Sequence, residues 1–242
     1  MEPWIRFANS LKLRMAIHMS GIEPQTAKEW AEEAVRDGVT DTPENEIAVY
    51  PSMAGVDHPL VQITDWHDIA IGASFMNLLQ NLDHPYMKYL FEKNSVGLAK
   101  SPQAVEGSSC PATTPINSVY VGMRNGVAPG EGQAAANNPY AGYSMLNKTY
   151  LAQAMPPLYF MKCSEVFFLM AEGALRGWNM NGTPQQFYEQ GIRYAALEAR
   201  TTMNNEYNQL VDEYLNVEAP KGIAYVDPQG LTPDMPSVTK IG

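Results

Sequence analysis

Glu165 and Glu172 stand among apolar residues in MKCSEVFFLMAEGALRGWNMNGTPQQFYEQGI, residues 161–192. Paired carboxylates can cleave a glycosidic bond, one as acid and one as nucleophile or base. That chemistry needs them about 5 Å apart for retention or about 6.5–9.5 Å apart for inversion. On one helix a seven-residue spacing puts them on a shared face roughly 10 Å apart. Arg176 also follows Glu172 at i+4, the favourable order for a surface ion pair. The spacing therefore reads as scaffold.

The histidines are His18, His58, His67 and His84. His58, Asp65, His67 and Asp68 could together build a metal or acid–base site. However, there is no H-E-x-x-H and no i,i+4 pair of histidines, so turn and surface roles are the plainer reading. Cys110 and Cys163 are isolated, with no C-x-x-C to hold zinc. G-x-S-x-G, P-loop and G-x-G-x-x-G patterns are missing. The acidic turn Asp41–Glu46 lacks the alternating oxygens of a calcium loop. No catalytic residue, metal ligand or cofactor is assigned.

What remains is aromatic. Tyr50, Trp66, Tyr120, Tyr140, Tyr143 and Tyr150 fall in or beside segments without periodicity, near Arg124, Asn125, Asn137 and Asn138. A sugar ring stacks its C–H face on an aromatic, while amides and guanidinium groups bond its hydroxyls. The same tyrosines could instead tie long loops onto helices. Trp66, Tyr120, Arg124, Asn125, Tyr140 and Tyr143 form the candidate ligand-binding set.

The elements that must carry these residues are mostly helical. The 242-residue chain has 45% hydrophobic and 17% charged residues and a formal charge of −10. No basic run offsets that charge, which argues against a nucleic-acid partner. No apolar stretch approaches the length of a bilayer span, and MEPWIRFANSLKL lacks the cleavage site of a secretion signal.

Trp4, Ala8, Leu11, Met15 and Met19 recur at helical spacing, with Ile5, Phe7, Leu13 and Ile17 widening the apolar face, predicting a first helix over 4–19. Gly21 ends it and Pro24 can open the next, whose stripe is Ala27, Trp30, Ala31, Ala34 and Val35. Residues 4–38 thus make a helical hairpin, with Glu32 and Arg36 as an i,i+4 pair. A loop with an extended piece at IAVY follows, then helices over about 66–82 and 85–93. Residues 97–150 are dense in Gly, Pro and Asn and show no period.

Helical order returns at 162–202. Phe167, Met170, Ala171, Ala174, Leu175 and Trp178 form one stripe, and Thr183-Pro184-Gln185-Gln186 reads as a capping box. A third helix covers about 205–216. The expected fold is all-α: one domain over 1–242 of tetratricopeptide-like hairpins with long irregular loops, though without a strict 34-residue period.

Several stretches together resemble one family. WIRFANSLKLRMAIHMS, AKEWAEEAVRDGV, DWHDIAIGASFMNLLQNLDHPYMKYLF, YVGMRNGVAPGE and above all SEVFFLMAEGALRGWNMNGTPQQFYEQGI look like SusD/RagB-type outer-membrane lipoproteins of Bacteroidetes. The resemblance implies a binding protein on tetratricopeptide-like helix pairs, not an enzyme. Its members capture glycans, or peptides in the RagB-like case, at the outer-membrane surface for a SusC-like TonB-dependent transporter.

No tight motif carries single binding residues across, and Trp66 recurs in the family pattern in a way that favours a structural role. Two departures stand out. Asp83-His84-Pro85-Tyr86 replaces the Asp-Pro-Arg of many members. Members are also much longer and carry an acylated cysteine that neither Cys110 nor Cys163 matches. The resemblance thus implies an internal piece, bound to the membrane only through an anchor absent from this chain.

Three readings separate by geometry. A binding protein needs an aromatic ledge built from 97–150. A protein-interaction scaffold needs a continuous concave groove of helix residues. A glycan-active enzyme needs two acids within about 10 Å across a cleft.

Overall fold

The computed structural model describes residues 1–56, 59–66, 69–85, 87–94, 120–123, 125, 143–147, 157–196, 205–216 and 221. In chain order the described elements are α1 (Glu2–Met19), α2 (Pro24–Asp37), β1 (Ile47–Val49), α3 (Pro51–Ala54), α4 (Pro59–Trp66), α5 (Ala73–Asn81), α6 (Met87–Leu90), β2 (Leu158–Met161), α7 (Cys163–Leu175), α8 (Pro184–Ala196) and α9 (Asn205–Leu215). The fold is all-α, with one two-stranded sheet as its β content among the described residues. The chain divides into two compact units, Met1–Ala54 with Pro157–Val211, and Gly55–Pro156 with Asp212–Gly242.

The first unit joins two helical hairpins, α1–α2 and α7–α8. Gly38 closes α2 at φ +97°, a conformation open to glycine but strained for other residues. Gly177 does the same after α7 at φ +78°, and the Trp178 N–H donates back to the Gly173 carbonyl over 3.0 Å. Thr183 caps α8 reciprocally: the Gln186 N–H donates to Thr183 Oγ1 at 3.2 Å, and the Thr183 N–H donates to Gln186 Oε1 at 3.1 Å.

One hydrophobic core serves both hairpins. Leu13, Ala16 and Ile17 of α1 meet Ala31 and Ala34 of α2, Val166, Met170 and Ala171 of α7, and Phe187 of α8. Alanines at the contacts let the helix backbones approach closely. Strands β1 and β2 pair antiparallel, Val49 facing Leu158 and Ile47 facing Met161, with an irregularity between Ile47 and Ala48. Met161 reaches the core. The extended piece expected at IAVY is therefore β1; its partner β2 was not foreseen.

Within α1, Leu13 and Ile17 of the expected apolar face reach the core, and Phe7 and Leu11 pack against it. Ser10, Leu13, Ala16 and Ile17 are buried, while Trp4 and Met15 are each 59% exposed. Two expectations need correction. Glu32 does not pair with Arg36: it accepts from the Asn179 N–H at 2.8 Å and lies 3.8 Å from Lys28, while Arg36 bonds Asp37. The helix expected over 66–82 is instead α4 ending at Trp66 and α5 starting at Ala73, and the one over 85–93 is the single turn α6. Gly72, extended before α5, sets its start.

In the second unit, two short chain segments lie on α5 and α6 like fragments of strand. Ala73 N–H donates to Met123 O and Met123 N–H to Ile71 O, each at 2.7 Å. Ser144 N–H donates to Val121 O at 2.8 Å, and Glu92 N–H to Met145 O at 2.9 Å. These bonds satisfy backbone groups that neither a helix nor a full sheet supplies. Beneath them lie two small cores, Ala73–Val121–Met123–Tyr143 and Met76–Leu79–Phe91.

Candidate functional site

The two glutamates of the conspicuous helix are both committed. Arg14 holds Glu165 with two charge-assisted bonds, Nε to Oε1 at 2.6 Å and an NH2 contact to Oε2 at 2.8 Å. This fork-to-fork pair ties α1 to α7. Arg176 takes Glu172 at i,i+4, with contacts of 2.6 and 3.2 Å to one oxygen. Their scaffold reading agrees with this geometry.

Of the candidate ligand-binding residues, the structure brings three onto the framework around the start of α5. Tyr120 is partly buried beside the Met76–Leu79–Phe91 core, and its carbonyl accepts from Gln80 Nε2 at 2.7 Å. Asn125 is exposed, and its Oδ1 hangs over Gly72. Between them, Gly122 makes a backbone approach that only glycine permits: an added Cβ would lie 2.6 Å from Ala73 Cα and 2.7 Å from Gly72 O.

Tyr143 belongs to the same framework but is 1% exposed, packed with Ala73, Val121 and Met123. Its ring is a packing element and offers no face to a ligand, which corrects the expectation for that residue. Trp66 is the last residue of α4. Arg124 and Tyr140 lie outside the described residues, as do His58, His67 and Asp68. Among the described residues, no three His, Cys, Asp or Glu side chains converge to hold a metal.

Charge shapes the Tyr120 position. Lys93 Nζ sits over its ring, 5.6 Å from the centroid, a cation–π distance. Burial pushes the Tyr120 phenol above its ordinary pKa, and the charge of nearby Lys88 pulls it the other way. Tyr120 is thus packed on the small core with an ammonium over its ring.

Sequence reasoning missed Phe75, 49% exposed on α5 with its edge against Phe91 at 6.0 Å. It also missed both lysines. Phe75 and Leu78 share a helix face that is exposed, at 49% and 38%. An apolar i,i+3 pair off the buried Met76–Leu79 side was the available signal.

Helix hairpins on a shared core, and loop segments clipped onto short helices, make up the described architecture. The chain belongs to the SusD-like family, described as SusD and RagB outer membrane lipoproteins, whose model matches residues 1–241. Among solved structures, a SusD-like protein from Bacteroides thetaiotaomicron is 29% identical, with a TM-score of 0.67 over 93% of this chain and 40% of its own. A chitin-binding SusD homologue from Flavobacterium johnsoniae is 27% identical, with a TM-score of 0.72 over 98% of this chain and 43% of its own. A SusD homologue from Bacteroides vulgatus shares the fold at a TM-score of 0.76 and 24% identity. The chain thus spans less than half the length of these relatives. No curated protein matches it.

Proposed function

We propose that this chain is part of a cell-surface glycan-binding protein that captures oligosaccharides and delivers them to a SusC-like TonB-dependent transporter in the outer membrane. The observation that carries this reading is the likeness to a chitin-binding SusD homologue across 98% of the chain. Local chemistry supports it. Exposed Phe75, partly buried Tyr120, the Asn125 amide and the Lys93 ammonium are groups that contact sugar faces and hydroxyls. The mechanism is capture without bond cleavage: ligand is held by stacking and hydrogen bonds and released unchanged.

Isothermal calorimetry against soluble plant, microbial and host glycans, with Trp66→Ala, Tyr120→Ala and Tyr140→Ala in parallel, tests it. Saturable binding weakened about tenfold by at least one change is expected, as for loss of one aromatic or hydrogen-bonding contact. Shortened sugars in the cell would overturn the non-enzymatic mechanism. A second reading, peptide capture, rests on the inclusion of RagB in the family description. Silence toward glycans with saturable binding of peptides would favour it.

A further inference from the structure

Two lysines stand near Tyr120, and each is steadied by an aromatic ring. Lys93 Nζ lies 5.6 Å from the centre of the Tyr120 ring, and Lys88 Nζ lies 5.0 Å from that of Tyr89. The Lys88 charge also acts on the Tyr120 phenol. Both lysines are exposed, whereas Tyr89 is buried and Tyr120 is half-buried on the Met76–Leu79–Phe91 core. A ring face orients an ammonium but leaves its charge uncancelled. The phenol does not cancel it either, since a tyrosine is protonated at neutral pH. Glu92 is the one carboxylate in the sequence from 85 to 94, against these two lysines.

The charge pattern of the chain sets this segment apart. Residues 69–156 hold five Lys or Arg against four Asp or Glu, so the excess of negative charge, −10 over the chain, lies in the rest. Counter-ions screen charges beyond about 8 Å at physiological salt. A ligand beside Tyr120 therefore feels the two ammonium groups more than carboxylates farther off than that. A lysine must shed tightly held water and side-chain freedom to grip a ligand. A neutral hydroxyl returns little for that loss, whereas a carboxylate or sulfate returns a full counter-charge.

We infer that the ligand of this segment is an acidic oligosaccharide, its carboxylate or sulfate seated beside Tyr120 within reach of the Lys88 and Lys93 ammonium groups. The inference rests on the glycan-capture reading and narrows it to one substrate class. The lysines select for charge. Phe75, exposed and edge-on to Phe91 of the core that Tyr120 also packs on, offers apolar surface to a sugar ring of either kind.

Calorimetry on the whole polypeptide with paired probes tests it. Oligomers of galacturonate, glucuronate and mannuronate, and of sulfated galactan, are each titrated beside their carboxyl-reduced or desulfated counterparts, with chitin oligomers as the neutral reference. At least one acidic series should bind about tenfold more tightly than its neutral counterpart, the yield of two partly solvated ion pairs. Lys93→Gln should cut that preference to roughly threefold, and Lys88→Gln combined with it should abolish the preference, while Lys93→Arg keeps it. Each variant should melt within about 2 °C of the parent, as surface changes do. Raising sodium chloride from about 50 to about 500 mM should weaken the acidic ligand and spare its neutral counterpart. Binding of the uronates or of the sulfated series tells which anion is taken. Equal affinity for acidic and neutral members, or binding of neutral members alone, overturns the inference and leaves glycan capture standing. So does an acidic preference that is indifferent to salt or survives both substitutions, since the anion is then held elsewhere. Silence toward every member overturns glycan capture, and the inference with it.

Discussion

At the scale of single residues, the side chains with the most chemistry in them are mostly occupied with structure. His84 shows this well. It sits on the left-handed turn made by Asp83, at φ 51°, with its ring 5.0 Å from that of Tyr214. Burial pushes its pKa down to about 4 from the usual 6.5. The unfolded chain therefore binds a proton that the folded chain refuses between those values. The contribution is fully present above pH 6.5 and is lost as pH falls toward 4, by up to about 3 kcal/mol. Denaturant unfolding of wild type and His84→Gln from pH 7 to 4.5 checks it. The wild-type stability should fall more steeply, and parallel slopes would place the titration elsewhere. That burial was not legible in Asp-His-Pro, which reads as a turn; it depends on Tyr214, 130 residues downstream. Tyr143 escaped for the same reason, since its partners Ala73, Val121 and Met123 come from two distant segments.

Elements were legible where the signal is local. The capping box at Thr183 and the α7–α8 hairpin depend on residues within a few positions, and the structure forms both. Thr183→Ala should cost about 1 kcal/mol, measurable as a shift in the midpoint of chemical unfolding; Thr183→Ser should restore most of it. Periodicity marked α1 as a helix but gave no local sign of which of its many apolar residues face the core. It misled between Trp66 and Ala73, where the break in the helix follows from Gly72 and Ala73 pairing with Met123, 50 residues away. Strand β2 is four residues long, too short for its alternation to stand out beside a helix start. As for the candidate site, the segment around Tyr120 and Asn125 was legible as aromatic and amide-rich, whereas the lysines beside it were not, since they arrive from α6 and the residues after it.

Over the whole molecule, the hairpins of the first unit are local, but what joins them is not. Arg14 and Glu165 are 151 residues apart in sequence, and their side chains are 31% and 43% exposed. A double-mutant cycle of Arg14→Ala and Glu165→Ala should return a coupling of about 1 kcal/mol, the upper end for a partly solvated pair. A coupling near zero would leave the joining of the hairpins to the shared apolar core, the Glu32–Asn179 bond and the strand pairing. Strands β1 and β2 close the same gap, from Val49 to Leu158. This closure has a consequence in time. On a ribosome adding about 5–20 residues each second, α1 and α2 emerge roughly 6–25 seconds before the helices that complete their core. Leu13, Ile17 and the unpaired guanidinium of Arg14 wait through that interval in a nascent chain, so synthesis rate across residues 55–156 governs how long the first hairpin stands alone.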